Sequence, residues 1–203
     1  MLDLSACVRA SLQAQPEMFG LLSLLGAACT SEGIRKDTGV ASWLHWPNLV
    51  TIDGRVVAKT SLSVVAPSGS DGDARVVFAI SVNCFADAPA AFPPGLPATS
   101  ILGVLGVQID VGFLRDKVLH ALDWYFAEWQ SGLHQKLVER MTPNIEWLGR
   151  DVEVMASGGR QLRGRAKGLD DLGSLVLEQR DRRGRQKTIA LPPETVELVR
   201  KVN

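Results

Sequence analysis

Side chains able to carry out chemistry are few and scattered in this 203-residue chain. The three histidines, His45, His120 and His134, do not have metal-ligand spacing, and no P-loop, G-x-G-x-x-G or H-E-x-x-H motif occurs. The three cysteines lie far apart and none belongs to a C-x-x-C pair, so the sequence predicts neither a disulfide scaffold nor a metal site. Generic motifs therefore assign no catalytic residue.

Lys59 is the most unusual polar residue, because it interrupts an apolar strand pattern. It is expected either to extend from a sheet edge into solvent or to occupy a ligand site. Asn48 and Asn83 are small polar residues at predicted strand ends, where each could cap a turn or contact a ligand. Trp46 is expected to pack in the interior, and Pro47 to end a strand.

The first part of the chain is predicted to supply a sheet and a helix around these residues. Alternating apolar residues predict a strand over Leu2–Arg9. Helical spacing predicts a helix that opens at Pro16-Glu17 and runs to about Asp37. Ala41–Val65 is predicted to form two strands joined at Asp53-Gly54, a dipeptide favoured in hairpin turns.

The following segments are predicted to complete the same domain. Ala66–Ala74 has the composition of a flexible loop, Arg75–Val82 that of a strand, and Ala86–Pro97 lacks periodicity because of Pro93-Pro94. Asp110 is predicted to cap a long helix, which a short helix over Leu133–Met141 follows. One apolar stripe is expected to pack that long helix on the sheet: Val111, Leu114, Val118, Leu122, Tyr125 and Trp129.

Composition and charge bound the class of protein. An apolar fraction of 46% argues against disorder, and a formal net charge of zero argues against a polyanion-binding protein as a whole. Neither a secretory signal nor a membrane-spanning segment is apparent, so a soluble cytoplasmic protein without membrane contact is expected.

A change in charge balance and in the length of the apolar runs predicts two domains, 1–143 and 144–203. The first holds 10 Lys+Arg and 13 Asp+Glu, whereas the second holds 12 and 9. Short alternating runs separated by glycine turns in the second predict a small β-barrel. Strands and long helices without a regular βαβ repeat predict the α+β class.

Five stretches occur in an order that a known family shares. His45-Trp46-Pro47-Asn48 and Asp53–Lys59 resemble K-W-P-N-D … G-R-K-x-A-G, and Val76–Asn83 resembles G-I-G-I-N-V-N. Ala98-Thr99-Ser100-Ile101 resembles A-T-S-L, and glycine-led stretches within residues 149–175 resemble a small SH3-like module. These are signatures of the biotin–protein ligase (biotin/lipoate ligase) family. The resemblance implies a mixed or antiparallel sheet packed with helices, followed by a C-terminal SH3-like β-barrel.

In that family, ATP and biotin form biotinyl-AMP, and the biotinyl group is then passed to a lysine of a carrier protein. The resemblance therefore implies biotin and ATP-Mg as ligands and a biotin carrier domain as partner. It also places a candidate ligand-binding pocket at His45, Trp46, Asn48, Val56, Lys59 and Asn83.

Departures from the signatures predict a catalytically degenerate member. Val56 stands in place of the family's catalytic lysine, Leu49 in place of the final Asp, and Lys59 in place of a glycine beside biotin. Losing a positioned cation removes on the order of 3–4 kcal/mol of transition-state stabilisation. Residues three apart on a strand point to opposite faces, so Lys59 is not expected to replace the lysine. Val77, Ala79 and Ser81 replace two glycines and an asparagine of the later strand.

The chain also begins after the position of the family's G-R-G-R loop, so an N-terminally truncated catalytic-type domain is expected. A split ligase completed by another chain is one alternative. A homodimer formed through a sheet edge, or a non-catalytic interaction module, are others. A nucleic-acid-binding role of the basic C-terminal face is disfavoured by interleaved acids and the lack of aromatic residues for stacking. That face contains Arg160, Arg163, Arg165, Lys167, Arg180, Arg182, Arg183, Arg185 and Lys187.

Overall fold

A computed structural model of the chain describes residues 1–11, 19–65, 73–86, 92, 95–180 and 184–202. Several residues discussed above lie outside the described residues. They are Pro16-Glu17, most of the predicted loop Ala66–Ala74, Pro93-Pro94, Arg182 and Arg183. The first layer is a five-stranded antiparallel sheet with strand order β1-β5-β4-β3-β2. Its strands are β1 (Leu2–Ser11), β2 (Trp43–His45), β3 (Leu49–Ile52), β4 (Arg55–Val65) and β5 (Asp73–Val82).

Two long helices, α1 (Phe19–Thr38) and α3 (Val111–Gln130), pack on each other and on one face of this sheet. As predicted, α3 begins after Asp110, whose carboxylate accepts hydrogen bonds from two backbone N–H groups at 2.7 and 3.3 Å. The predicted apolar stripe of α3 is buried from Leu114 to Trp129. Two short helices are α2 (Ile101–Leu105) and α4 (His134–Met141). Within the described residues, no helix is both long and apolar enough to cross a membrane.

The predicted hairpin region contains three strands rather than two. A turn at residues 46–48 separates β2 from β3, because Pro47 cannot donate a hydrogen bond to a continuing ladder. The predicted turn at Asp53-Gly54 joins β3 to β4, and both of its residues have positive φ, +50° and +71°. The extra strand places His45 next to the sheet edge.

A β-bulge in β4 decides which side chains face away from the helices. The register pairs Leu49 with Lys59 and Thr51 with Val56, so that Val57 is an additional residue in β4. Paired residues share a face, and residues two apart on β3 share a face, so Val56 and Lys59 lie on the same face of the sheet. The expectation of opposite faces is wrong, because it assumed an uninterrupted strand.

The second sheet is also antiparallel, with strand order β10-β6-β7-β8-β9. Its strands are β6 (Asp151–Ala156), β7 (Arg160–Leu169), β8 (Leu175–Arg180), β9 (Gln186–Leu191) and β10 (Val196–Lys201). The α+β class is confirmed, and this sheet fits an SH3-like domain, although the strand pairing of the described residues does not close it into a barrel. The predicted domain boundary falls in the 3₁₀ turn Thr142–Asn144, and the division into domains stays a prediction.

Candidate functional site

The six residues of the predicted pocket occupy different settings. His45 and Trp46 are buried where the two sheets meet. Val56 and Asn83 are buried beside the segment that leads into α2. Lys59 is exposed on the sheet face opposite the helices, and Asn48 is half-buried at the start of β3.

The imidazole of His45 is held between two hydrogen-bond acceptors. Its Nε2 lies 2.8 Å from the backbone oxygen of Val199 in β10, and its Nδ1 lies 2.9 Å from Oε2 of Glu146. Both ring nitrogens are thus within hydrogen-bond distance of protein oxygens, and neither nitrogen of His45 is left for a ligand.

The half-buried Glu146 completes this polar contact, and it is not among the residues predicted from the sequence. Thr51 Oγ1 donates to the same carboxylate oxygen at 2.9 Å. Burial raises the pKa of the Glu146 carboxyl, but the hydrogen bond and charge of His45, the hydrogen bond from Thr51 and the charge of Lys201 outweigh it, so that the pKa lies below its ordinary value. The one sequence signal is an acidic residue among apolar neighbours directly after the predicted boundary.

Trp46 joins the same two parts of the chain. It is 1% exposed, and its Nε1 donates to the backbone oxygen of Gly173 at 3.0 Å. Gly173 approaches α1 so closely that an added Cβ would lie 3.0 Å from Leu21 Cα. Trp46 and His45 therefore hold the two sheets together.

Val56 lies in a small apolar cluster with Leu49 and Phe92, separate from the main core. These three side chains are 1%, 3% and 8% exposed, respectively. The backbone N–H of Val56 donates to Pro97 O at 2.8 Å, and its carbonyl accepts from Thr99 N–H at 2.9 Å. Val56 and Leu49, which by the resemblance stand where the signature has a lysine and an aspartate, thus lie in one cluster.

The side chain of Asn83 forms hydrogen bonds within a turn and to the segment before α2. It is fully buried, its Nδ2 donates to Thr99 O at 2.9 Å, and its Oδ1 accepts from Ala86 N–H at 3.0 Å. Asn48 contributes its backbone oxygen, which accepts from Thr60 N–H at 2.8 Å. Its side chain makes no hydrogen bond to any residue that the structure describes.

Lys59 stands on a central strand, so extension from a sheet edge does not explain it. The sheet registers place it in one row with Ser81, Asp3 and Leu49. Ser81 Oγ donates to Asp3 Oδ1 at 2.6 Å, which ties β5 to β1. Lys59 is the one lysine of this row, and its ammonium is open to solvent.

Two of the three cysteines, Cys29 and Cys84, are buried, whereas Cys7 is exposed on β1. Burial raises the pKa of the Cys29 thiol well above its ordinary value, and it also raises that of Cys84, so both are poor nucleophiles at neutral pH. In the described ranges, no group of three or more His, Cys, Asp or Glu side chains is arranged to hold a metal ion.

Comparison with known proteins shows what the chain is similar to. Residues 148–190 match the family model for the biotin protein ligase C terminal domain. Over 161 residues, the chain is 24% identical to the bifunctional ligase/repressor BirA of Bacillus subtilis (strain 168), an alignment that covers 77% of this chain. These two likenesses support a biotin protein ligase family member. The alignment spans 48% of the length of BirA, so the chain corresponds to about half of this curated relative.

The fold of biotin protein ligases extends through both sheets. The enzyme from Aquifex aeolicus superposes with a TM-score of 0.75 at 16% identity, covering 98% of this chain and 82% of that chain. Its complex with biotin and ATP gives 0.72 at 18% identity, with coverage of 98% and 79%. A biotin protein ligase-like protein of unknown function from Silicibacter sp. TM1040 gives 0.69 at 13% identity, with coverage of 95% and 79%. At these identities the likeness shows the fold alone.

Proposed function

We propose that this chain is a biotin protein ligase-like protein that does not form biotinyl-AMP or transfer biotin by itself. The observation that carries the proposal is the apolar cluster of Val56, Leu49 and Phe92. By the resemblance of the signature, this is where the family has a lysine and an aspartate. A valine that is 1% exposed supplies no cation for the biotin carboxylate or the α-phosphate.

The open sheet face supports the same proposal. Val77, Ala79 and Ser81 alternate on β5 and share this face with Lys59, to which Ser81 is directly paired. By resemblance, Val77, Ala79 and Lys59 replace glycines that let the backbone approach a ligand closely. Side chains at three such positions reduce the room for a biotin ring. The residues at the motif positions therefore do not fit biotin and ATP as the family binds them.

The test is biotin-dependent exchange of labelled pyrophosphate into ATP, followed by labelling of a biotin carrier domain. The carrier domain is the partner that the family implies. We expect the chain to show neither activity, with an active biotin protein ligase as the positive control. Removing a positioned cation costs a factor of about 10²–10³ in rate, and a blocked pocket adds to that loss.

Thermal denaturation with biotin, ATP-Mg and both together tests ligand binding independently. A binding site at ligand concentrations 100-fold above Kd would add about 2.7 kcal/mol to the free energy of unfolding, a readily visible shift. We expect no shift. Pyrophosphate exchange by the wild-type chain would overturn the proposal, and its loss in Lys59→Ala would then identify Lys59 as the cation.

A further inference from the structure

The second sheet carries a basic surface lined by residues other than the six of the predicted pocket. A hollow of about 480 Å³ crosses β6, β7 and β8. A second hollow of about 290 Å³ adjoins it, and both are lined by Asp151, Arg165 and Val202. These two joined hollows are called the basic trough below.

The lining of the basic trough is rich in cations. Its described residues include five cationic side chains and two carboxylates. The cations are Arg150, Arg163, Arg165, Arg180 and Lys201, and the carboxylates are those of Asp151 and Glu178. Arg163 forms an ion pair at 3.0 Å with Glu153, an acidic residue beside the trough. Glu178 lies 3.9 Å from Lys167, so that carboxylate is partly neutralised.

Four cations of the trough are available to an incoming anion. Among the described residues, no carboxylate lies within 4.0 Å of the charged groups of Arg150, Arg165, Arg180 or Lys201. All four residues are exposed. The Nε of Arg165 donates to Gly149 O at 2.9 Å, which orients the guanidinium and leaves its two terminal nitrogens for a partner.

We propose that the basic trough binds an acidic, extended segment of a partner protein. Arg163 and Arg165 are two apart on β7, so their side chains project on one face about 6.6–6.8 Å apart along the strand, and Arg163 would exchange its contact with Glu153 for the peptide. Every second side chain of an extended peptide repeats at the same distance. Carboxylates on one face of such a peptide therefore match the arginines, which bind carboxylates in a bidentate manner.

Other ligands fit the trough less well. Small-molecule sites are predominantly apolar, whereas Val152 and Val202 are the only apolar side chains in the described lining. A nucleic acid would bring phosphates past both Asp151 and Glu178. No aromatic residue is present in the described lining to stack on a base. An acidic peptide can alternate charged and neutral side chains and so avoid the two carboxylates.

The test measures fluorescence anisotropy of a labelled peptide of alternating glutamate and serine, titrated with the whole chain at low salt. Arg165→Gln and Arg180→Gln are each expected to weaken binding about fivefold, since each removes one exposed ion pair. Asp151→Asn is expected to strengthen binding about threefold, because it removes a repelling carboxylate. Arg115→Gln, an exposed arginine on α3, is the matched control and should change nothing.

Three outcomes would overturn the proposal. These are absence of peptide binding at low salt, tighter binding of oligothymidylate than of the peptide, and equal affinity of wild type, Arg165→Gln and Arg180→Gln. The side chain of Arg180 makes no hydrogen bond within the described ranges, so Arg180→Gln is not expected to disturb folding. Thermal melts of each variant check that point, and the result does not depend on biotin chemistry.

Discussion

The imidazole of His45 connects two parts of the chain because its nitrogens face acceptors from different elements. Glu146 follows α4, and Val199 belongs to β10 of the second sheet. A contact of this kind is costly to break, since removing Glu146 leaves Nδ1 of the buried His45 without its hydrogen-bond partner. At the scale of single residues, this contact has more consequence for stability than the exposed ion pairs of the surface.

Replacing Glu146 with Gln tests this contact at neutral pH. The substitution keeps the shape but removes the charge that His45 and Thr51 share, and we expect it to lower the free energy of unfolding by about 2 kcal/mol. Urea denaturation measures the change. The matched control is Glu153→Gln in the exposed pair with Arg163, where we expect less than about 1 kcal/mol.

The same pair predicts how stability depends on pH. The folded-state pKa of Glu146 lies below its ordinary value near 4.5, so its contribution is fully present above that value. It is lost as the pH falls through the lower, folded-state pKa. The difference in stability between wild type and Glu146→Gln should therefore shrink progressively below about pH 4.5. A difference that stays constant down to about pH 3 would contradict this assignment.

At the scale of elements, the contact between α1 and α3 depends on a glycine. A Cβ added at Gly33 would lie 2.5 Å from Val118 Cγ2 and 3.0 Å from Val118 N. The backbone of α3 therefore sits directly over Gly33. This close approach lets both helices lie on the same face of the five-stranded sheet, where they cover its core side chains.

We expect Gly33→Ala to lower the free energy of unfolding by about 1–2 kcal/mol. Overpacking of about 1–3 kcal/mol outweighs the gain of up to about 1 kcal/mol from the better helix propensity of alanine. Calorimetry of Gly33→Ala, Val118→Ala and the double variant forms a mutant cycle. The double variant should lose less stability than the sum of the two single variants, because Val118→Ala removes the clashing methyl group. Strict additivity would show that the two residues are not in contact.

At the scale of the whole molecule, the turn at Gly173 seats the second sheet on α1. Gly173 has φ +81°, accepts the indole hydrogen bond of Trp46, and would place a Cβ 3.0 Å from both Leu21 Cα and a Leu24 methyl carbon. Positive φ and close approach both require glycine here. The two sheets are therefore expected to unfold together.

Gly173→Ala tests this junction, and Gly158→Ala is its control. Gly158 has a nearly equal φ of +79° but nothing within 4 Å of an added Cβ. Both variants carry the backbone penalty of about 1 kcal/mol, and Gly173→Ala should lose a further 1–3 kcal/mol, roughly, from displacing α1. Chemical denaturation followed by far-ultraviolet circular dichroism gives both values. Equal losses in the two variants would show that the junction tolerates the extra methyl group.

Local pattern specifies most of the secondary structure and the likeness to biotin protein ligases. Period-2 and period-3.6 spacing reflect which face of a strand or helix is buried, and this is why β1, the cap at Asp110 and the stripe of α3 were predicted correctly. Short motifs are preserved as residue order, so the likeness to biotin protein ligases is recognisable from the sequence alone. By that resemblance, Val56 stands where the signature has a lysine.

Contacts between distant residues follow from the tertiary packing. The partners of His45 are 101 and 154 residues away along the chain, and no local pattern specifies them. The bulge at Val57 reverses the predicted face of Lys59, because one inserted residue changes the alternation without changing the composition. Asn83 donates to the backbone oxygen of Thr99, which is 16 residues away along the chain. Residue order thus specifies the elements and the likeness to biotin protein ligases, whereas long-range packing selects which side chains meet.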